Sequence, residues 1–458
     1  MIANRGEIAV RVIRAAKDLG ISTIAVYSEA DRDSLHVALA DEAVCVGPPS
    51  PGRSYLKIHS ILAAALAKDV DAIHPGYGFL SENASFAEAC EQKGVCFVGP
   101  SAESIRLAGD KVNARKTVAH AKVPVVPGSD GAVADREAAE RLAWSIGFPL
   151  LLKAKAGGGG RGMRVVRSLA ELKTAWGEAS GEATSAFGDG ALYLERYLED
   201  VRHIEVQIMA DRFGRTIALG ERDCSIQRRH QKLLEEAPSP ALDSSLRMHI
   251  CRAAVRAAEA VKYRGAGTVE FLFDVKTKEF FFIEMNARIQ VEHPVTEALT
   301  GVDLVAEQLR IACGLPLSLP DSPVELRGHA IECRINAEDA ERNFMPVPGR
   351  LNVFRAPGGP GVRLDTHCYE GYSFPPNYDS LMAKLVVHGV SRTDAIRRMR
   401  RALSEFRIEG LPTTIPFHLQ LLAHPDFVAG NVSTSFVDGM IAALHESGTT
   451  INNEITCA

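Results

Sequence analysis

No apolar run in this 458-residue chain approaches the ~20 residues a membrane-spanning helix needs, so no membrane partner is expected. No C-x-x-C pair occurs among nine cysteines scattered from Cys45 to Cys457, which excludes a zinc ribbon and matches no disulfide framework. The thiols read as small buried hydrophobes in a reducing compartment. Charge of one sign is lacking as well: 52 Lys and Arg against 57 Asp and Glu leave a net −5, so no global basic field points to nucleic acid. The start shows neither a signal peptide nor an Arg-rich, acid-poor presequence, and the cytoplasm is the expected location. What is present is core: 46% hydrophobic residues over a length that suggests roughly three domains.

The densest chemistry lies at Glu284-Met-Asn-Ala-Arg-Ile-Gln-Val-Glu-His-Pro-Val-Thr-Glu297, directly behind the apolar run Phe280 to Ile283. Acids presented with an amide and a guanidinium suit a divalent cation, a polyanion and a proton transfer. Upstream, Thr268 to Asp274 reads as a strand leading into the polar turn Val275 to Glu279, a hairpin with Phe280 onward. A five-residue loop pairs Asp274 with Phe280 and so sets Glu270 opposite Glu284, with Asn286 on the same face. Directly opposed side chains have Cβ atoms roughly 5 Å apart, and like charges so placed repel, so the pair persists most easily with a cation between them. Oxygen ligands of this kind favour Mg²⁺ or Mn²⁺ over zinc.

Elsewhere the pattern is α/β. A first strand of only about three residues precedes Asn4-Arg-Gly-Glu7, and Ile8, Val12, Ala15, Ala16 and Leu19 recur at helical spacing before a C-capping Gly20. Strands at Thr23 to Tyr27, Ala43 to Val46, Val70 to Ile73 and Cys96 to Val98 continue the alternation to about residue 108. The first βα turn lacks G-x-G-x-x-G, so a dinucleotide is not its ligand. That pattern does occur at Gly157, Gly159 and Gly162, but between the strands Pro149 to Lys153 and Met163 to Val166, with helix signals only from the capping box Ser168 to Glu171. Strand, loop, strand rejects a dinucleotide fold and suits a mobile lid whose backbone amides, flanked by Lys153 and Arg161, close over a triphosphate. Tyr193 to Leu198 and Val201 to Gln207 read as further strands. The run Arg222 to Lys232, with Arg228, Arg229 and His230, is followed at once by Glu235 and Glu236, which points to a small bound anion rather than a nucleic-acid arm.

Taken together, Ile2 to Glu7, His74 to Asn83, Gly109-Asp-Lys111, the glycine lid, Arg228 to Lys232, Glu284 to Glu297 and Glu332 to Asp339 resemble, in order, the motifs of the biotin carboxylases of the ATP-grasp superfamily. The resemblance runs to about residue 445. It implies an α/β and α+β ATP-grasp architecture: a Rossmann-like N-terminal domain over 1–108, an ATP-grasp region over 109–312 with a lid at about 125–197, a C-terminal domain over 330–445 and a polar tail at 446–458. ATP and bicarbonate would give carboxyphosphate, whose CO₂ is captured by N1 of biotin.

The residue roles implied by that resemblance are specific. Lys111 and Lys153 match phosphate-contacting lysines, Gly159 and Gly160 the lid, Glu195, Arg196, Tyr197 and Leu198 the adenine edge, and His203, Gln227 and His230 the nucleotide's surroundings. Glu270, Glu284 and Asn286 match the ligands of Mg²⁺ or Mn²⁺, two ions being expected. Lys232, Arg288, Gln290 and Val291 match the bicarbonate pocket, where fixed positive charge holds a monoanion. Glu292 matches the general base; with an ordinary carboxylate pKa near ~4.3, either Arg288 and Lys232 must acidify the substrate or burial must strengthen the base. Arg334 matches the arginine that stabilises the enolate-like oxygen of biotin, with an ion pair to Glu292 or Asp379 expected besides. Two departures stand out: the short first strand, and Lys155 where the family commonly has a small or polar residue. No Ala-Met-Lys-Met biotinylation signal occurs, so biotin is expected on a separate carrier protein, with a carboxyltransferase subunit as further partner. A homodimer is expected too, its face after residue 340. A ligase delivering carboxyphosphate to an amine, as purine or carbamoyl phosphate enzymes do, is the alternative; the His74 to Asn83 and Arg334 motifs weigh against it. So does a competent residue at every catalytic position against a non-catalytic scaffold.

Overall fold

A computed structural model describes residues 1–154, 163–187, 190–319 and 324–447. The N-terminal part has the expected α/β order, but its first strand is reduced to one residue: Ile2 bridges Ala25 and His74, both in parallel. The helix Gly6–Asp18 follows and ends ahead of Gly20, whose φ of +72° is the left-handed conformation a helix terminus favours. Two short parallel pairs complete it, β1 (Ile24–Ser28) with β2 (Glu42–Gly47) and β3 (Ala72–Ile73) with β4 (Cys96–Phe97). Pro75 cannot donate to a ladder, so β3 stops there and the chain turns toward the site. Asn4 holds that turn by donating to the carbonyls of Pro75 and Tyr77, both at 2.7 Å. Gly76 sits at φ +63°, and a Cβ there would lie 2.9 Å from Asn4 Nδ2 and 3.0 Å from Ile8 Cγ1. Gly76→Ala is therefore expected to cost about 1–3 kcal/mol, read as a lowered urea midpoint at unchanged m-value.

The lid region is a three-stranded antiparallel sheet with β5 (Leu150–Ala154) between β6 (Met163–Val166) and β7 (Leu192–Arg196). Alternation sends Leu150, Leu152, Leu192 and Leu194 into a small core with Ala139, Ala143 and Leu172. The two strands flanking the glycines are present and paired antiparallel, and the segment between them, with Lys155, Gly159 and Gly160, lies outside the described residues. The capping box forms with one slip. Ser168 Oγ accepts from Glu171 N at 3.2 Å, but Glu171 Oε2 accepts from Arg167 N rather than Ser168 N.

The site rests on an eight-stranded sheet. Its order is β12 (Phe280–Asn286), β11 (Gly265–Asp274), β8 (Val201–Ala210), β9 (Thr216–Arg228), β10 (Gln231–Ala237), β13 (His329–Asn336), then the strands Leu381–Gly389 and Val362–Thr366. Period-two alternation divides the faces. Ile204, Val206 and Ile208 with Val269, Phe271 and Phe273 join the N-terminal core, while His203, Glu205 and Gln207 with Thr268 and Glu270 point the other way. The pairing of β10 with β13 carries the sheet from the ATP-grasp region into the C-terminal one. Among the described residues no helix is long and apolar enough to cross a membrane.

Candidate active site

The hairpin β11–β12 sets Glu270 opposite Glu284 and Thr268 opposite Asn286, as the sequence suggests, but by a different route. At the turn Phe273, not Asp274, pairs with Phe280; a bulge between Glu270 and Phe271 then absorbs Ile283 and restores the register. Turn geometry set the first pairs, and the extra residue corrected the rest. Asn286 Nδ2 donates to Glu270 Oε1 at 2.9 Å, and the buried Glu270 faces a half-buried Glu284. Two carboxylates and an amide oxygen on one face fit a hard divalent cation. Burial alone would raise the pKa of Glu270, yet Lys232 and His203 hold it well below the usual carboxylate range, so the acid is ionised. His203 Nε2 lies 2.9 Å from Glu270 Oε2.

Across the sheet the ionisable residues form a row, Arg222 on β9 opposite Glu205 on β8, which is opposite Glu270. Arg222 is fully buried: Nε donates to Glu205 Oε1 at 2.5 Å, and Nη1 to Gln207 Oε1 at 2.8 Å and Thr296 Oγ1 at 2.9 Å. Lys232 stands at the centre, with Nζ 2.6 Å from Glu205, 2.7 Å from Glu292 and 3.0 Å from Glu270. Desolvation disfavours its charge, but three carboxylates outweigh burial and hold the amine protonated.

The basic run expected to bind one anion is thus divided. Arg222 is a buried structural cation, Lys232 reaches the site, and Arg228 lies over Phe344 and bonds Asn343. Arg229 and His230 form an exposed two-residue turn with φ +48° and +63°. Strand alternation and the turn separate residues that sequence proximity groups together.

Glu292, fully buried at the head of the helix His293–Thr300, is clamped by two cations. Lys232 bonds its Oε1, and Arg334 Nη2 donates to Oε2 at 3.0 Å. Arg334 also bonds Glu235, Nε to Oε1 at 2.7 Å. A register shift between Lys232 and Leu234 makes this possible, because residues three apart on a regular strand face opposite sides. Burial pushes the Glu292 carboxyl up, but Lys232, Arg334 and Arg222 prevail and hold it well below the usual range. Burial therefore does not supply the stronger base that the sequence left open. The ion pair expected with Glu292 is present; the partners of Arg334 are Glu292 and Glu235 rather than Asp379.

The loop after β12 presents the remaining anion contacts. Arg288 is held by Glu82 (Nε to Oε2, 2.8 Å) and donates to Gln290 Oε1 at 2.7 Å and Asn286 Oδ1 at 3.2 Å. Gln290 Nε2 reaches Glu270 at 3.2 Å. Val291 offers its carbonyl to the fully buried Lys384 at 2.9 Å, which also pairs with Glu7 at 3.1 Å.

On the lid side, Glu195 is bridged by Lys153 and Arg115. Arg196 N donates to Pro127 O at 2.8 Å and Tyr197 N to Pro149 O at 2.9 Å, which holds the segment toward Leu198 against the lid's flank. Gln227 pairs opposite Lys232 and so shares its face. Lys111 opens the helix Lys111–His120, its side chain lying outside the described atoms. Glu205, Arg222, Glu82, Glu235 and Lys384 carry site contacts that the predicted site did not include. The signals differ: Glu205 belongs to the alternating polar positions of Val201 to Gln207, Arg222 and Glu235 border the basic run, Glu82 stands in the His74 to Asn83 motif, and Lys384 is a lone charge in an apolar run.

Three family models match consecutive parts of the chain: "Biotin carboxylase, N-terminal domain" over residues 1–105, "Carbamoyl-phosphate synthase L chain, ATP binding domain" over 110–319 and "Biotin carboxylase C-terminal domain" over 332–439. A biotin carboxylase of Nostoc sp. is 59% identical over 440 residues, covering 96% of this chain and 98% of that protein. Biotin carboxylase 1 of Bacillus subtilis is 57% identical over 438 residues, covering 96% and 97%. Among solved structures, a biotin carboxylase–β,γ-ATP complex from Campylobacter jejuni superposes with a TM-score of 0.88 at 49% identity, covering 96% of this chain and 98% of that one. The biotin carboxylase domain dimer of Hydrogenobacter thermophilus 2-oxoglutarate carboxylase, bound to magnesium, ADP and bicarbonate, gives 0.87 at 48%, covering 96% and 97%. With a buried carboxylate clamped between two cations beside an acidic hairpin, and relatives of this identity along nearly its whole length, the chain belongs to the biotin carboxylase family of ATP-grasp enzymes.

Proposed function

We propose that the chain carboxylates N1 of biotin, borne on a separate carrier protein, from ATP and bicarbonate by way of carboxyphosphate. The observation that carries the reading is Glu292 held between Lys232 and Arg334, 2.7 Å and 3.0 Å away, with Arg288 anchored nearby by Glu82. Arg288 and Lys232 hold the bicarbonate anion, with Gln290 and the Val291 backbone shaping its pocket. As both cations of the clamp turn their N–H groups to arriving anions, Glu292 loses what keeps its pKa low and strengthens as a base. It then takes the bicarbonate proton while the oxygen attacks the γ-phosphate. Phosphate released from carboxyphosphate takes the N1 proton of biotin, and Arg334 stabilises the charge that develops on the ureido oxygen.

Glu270, Glu284 and Asn286 would hold the divalent cation, Mg²⁺ or Mn²⁺ and two ions in all, which supplies charge neutralisation to the ATP phosphates. Lys111, Lys153 and the lid glycines Gly159 and Gly160 take the phosphates; Glu195 to Leu198 line the adenine; His203, Gln227 and His230 complete the nucleotide site. The domain boundaries proposed from sequence keep this order. A carboxyltransferase partner would deliver the group to an acyl-CoA, as in the first half-reaction of acetyl-CoA carboxylase, and the enzyme would act as a homodimer in the cytoplasm. An amine-directed carboxyphosphate ligase is disfavoured by the two biotin carboxylase matches that flank the ATP-binding one.

Phosphate release from Mg-ATP, measured with and without bicarbonate and with and without free biotin, tests the reading. Cleavage should require bicarbonate, rise with biotin and stop when the metal is chelated. Bicarbonate-dependent cleavage indifferent to biotin would favour the amine ligase.

A further inference from the structure

Behind Arg334, on the same face of the sheet, lie two acids that the steps above do not use. Glu235 on β10 and Glu332 on β13 are directly opposed, and both are fully buried. Two residues along from Glu332, Arg334 stands opposite Lys384. The helix His293–Thr300 covers this face, with Val295 and Leu299 packing beside Ala330 and Val386 on either side of the acids. The two carboxyls are treated differently. Glu235 Oε1 accepts from Arg334, whereas among the described residues neither oxygen of Glu332 has a hydrogen-bond partner. Nor does Lys384 bond it, its amine going to the Val291 carbonyl, to Glu7 and, at 4.0 Å, to Asp365.

An ionised carboxylate without a partner in such a place is very costly, and neutralisation is the usual outcome. Opposed like charges add to that cost. The charged groups that act on Glu332 are Glu235 on β10, Arg334 on its own strand, Lys384 on the next strand and Glu292 at the head of the covering helix. Burial first, then Glu235 and Glu292, push its carboxyl well above the usual range, against the pull of Lys384 and Arg334. Glu235 is pushed up to about 7, burial again being the largest cause, with Arg334 opposing.

The geometry points to Glu332 as a positioning residue of the biotin-deprotonating step: kept protonated behind Arg334, it limits that guanidinium to two carboxylate partners and leaves its charge available to the ureido oxygen. Were Glu332 ionised, a third buried carboxylate would compete with the substrate oxygen for the same cation. The inference rests on the role proposed for Arg334. The proton stays on Glu332 throughout the cycle, so no bond to it forms or breaks.

The test compares wild type with Glu332→Gln, a neutral mimic of the protonated acid, by kcat/KM for free biotin from about pH 6 to about pH 10. Biotin ionisation and phosphate ionisation affect both proteins equally, and Glu235, pushed up to about 7, is ionised in both at the alkaline end, so their ratio there isolates Glu332. At the alkaline end the variant should retain about tenfold more of its neutral-pH value than wild type, the size expected for one buried charge near Arg334. Superimposable profiles overturn the proposal. Should the variant fail to fold, infrared spectroscopy of the wild type decides: the carbonyl band of a protonated carboxyl, present at neutral pH, must fade over the pH range in which kcat/KM falls, and its absence at neutral pH overturns the idea. Arg334→Lys separates the two levels. If it keeps full biotin-dependent turnover, the role of Arg334 fails and this inference with it. If it loses that turnover while the Glu332→Gln profile matches wild type, only the inference about Glu332 fails.

Discussion

Glu292→Gln should lower biotin carboxylation by about 10²–10⁴-fold while ATP binds with nearly unchanged affinity. Among the described residues, this carboxylate is the one that both Lys232 and Arg334 bond, which places it to take a proton from bicarbonate. Gln keeps the shape but turns an N–H₂ toward either Lys232 or Arg334, each of which already donates to this position at 2.7 Å and 3.0 Å. A moderate loss of stability therefore accompanies the catalytic one, and the two are told apart by measuring the denaturation midpoint beside the rates. Calorimetric titration with a non-hydrolysable ATP analogue checks that the nucleotide site is intact. Turnover equal to wild type would remove the base assignment. Because the clamp holds Glu292 ionised, its pKa well below the usual range, protonation of the free base limits activity only in strong acid. Once the substrate's own protonation to CO₂ is allowed for, kcat/KM for the bicarbonate anion should accordingly show no acid limb from Glu292 in the range where an ordinary glutamate titrates.

The second large effect belongs to a residue with no direct part in the reaction. Arg222→Met is expected to cost about 3–5 kcal/mol of unfolding free energy, because it strips a fully buried ion pair of one partner. Glu205 would keep only Lys232 at 2.6 Å, and Gln207 Oε1 and Thr296 Oγ1 would lose the donor now 2.8 Å and 2.9 Å away. Lys232, drawn more strongly to Glu205, would then serve bicarbonate less well, so KM for bicarbonate rises in whatever fraction folds. Urea unfolding monitored by circular dichroism reads the first effect, and an unchanged midpoint would show that Arg222 is not the structural cation described. Arg222→Lys should recover only part of the loss, since one ammonium cannot reproduce contacts to Glu205, Gln207, Thr268 and Thr296 made from three guanidinium nitrogens.

Arg222 also shows where reading a sequence stops. It stood in a run with Arg228, Arg229, His230 and Lys232 that looked like one anion-binding loop. In the fold that run is a hairpin, and its members go to the buried interior, an aromatic face, an exposed turn and the reactive centre. Glu205, Glu235 and Glu332 were equally hard to place. Each lies in a strand whose polar face reads as solvated, whereas here that face is closed over by the helix His293–Thr300 or by neighbouring strands. The hairpin acids were legible because both their strands and their turn are local: Glu270 opposite Glu284 follows from counting, although a bulge at Ile283 and not the turn brought it about.

Local order was thus determined by the sequence alone. Apolar periodicity, the Pro and Gly positions and the strand, loop, strand context of the glycines set the elements and their succession, and the motif series indicated the family, since these depend on residues a few positions apart. The tertiary structure decided which charges are partners and what each is worth. Lys232, Glu292 and Arg334 come from segments 42 to 102 residues apart, and their contacts depend on the register shift after Lys232 and on the burial of the face they share, neither of which leaves a periodic trace. The ionisation of Glu292 and the neutrality inferred for Glu332 follow from the same cause. Among the described residues one carboxyl has two cations within hydrogen-bond reach and the other has none, and only the folded sheet makes that difference.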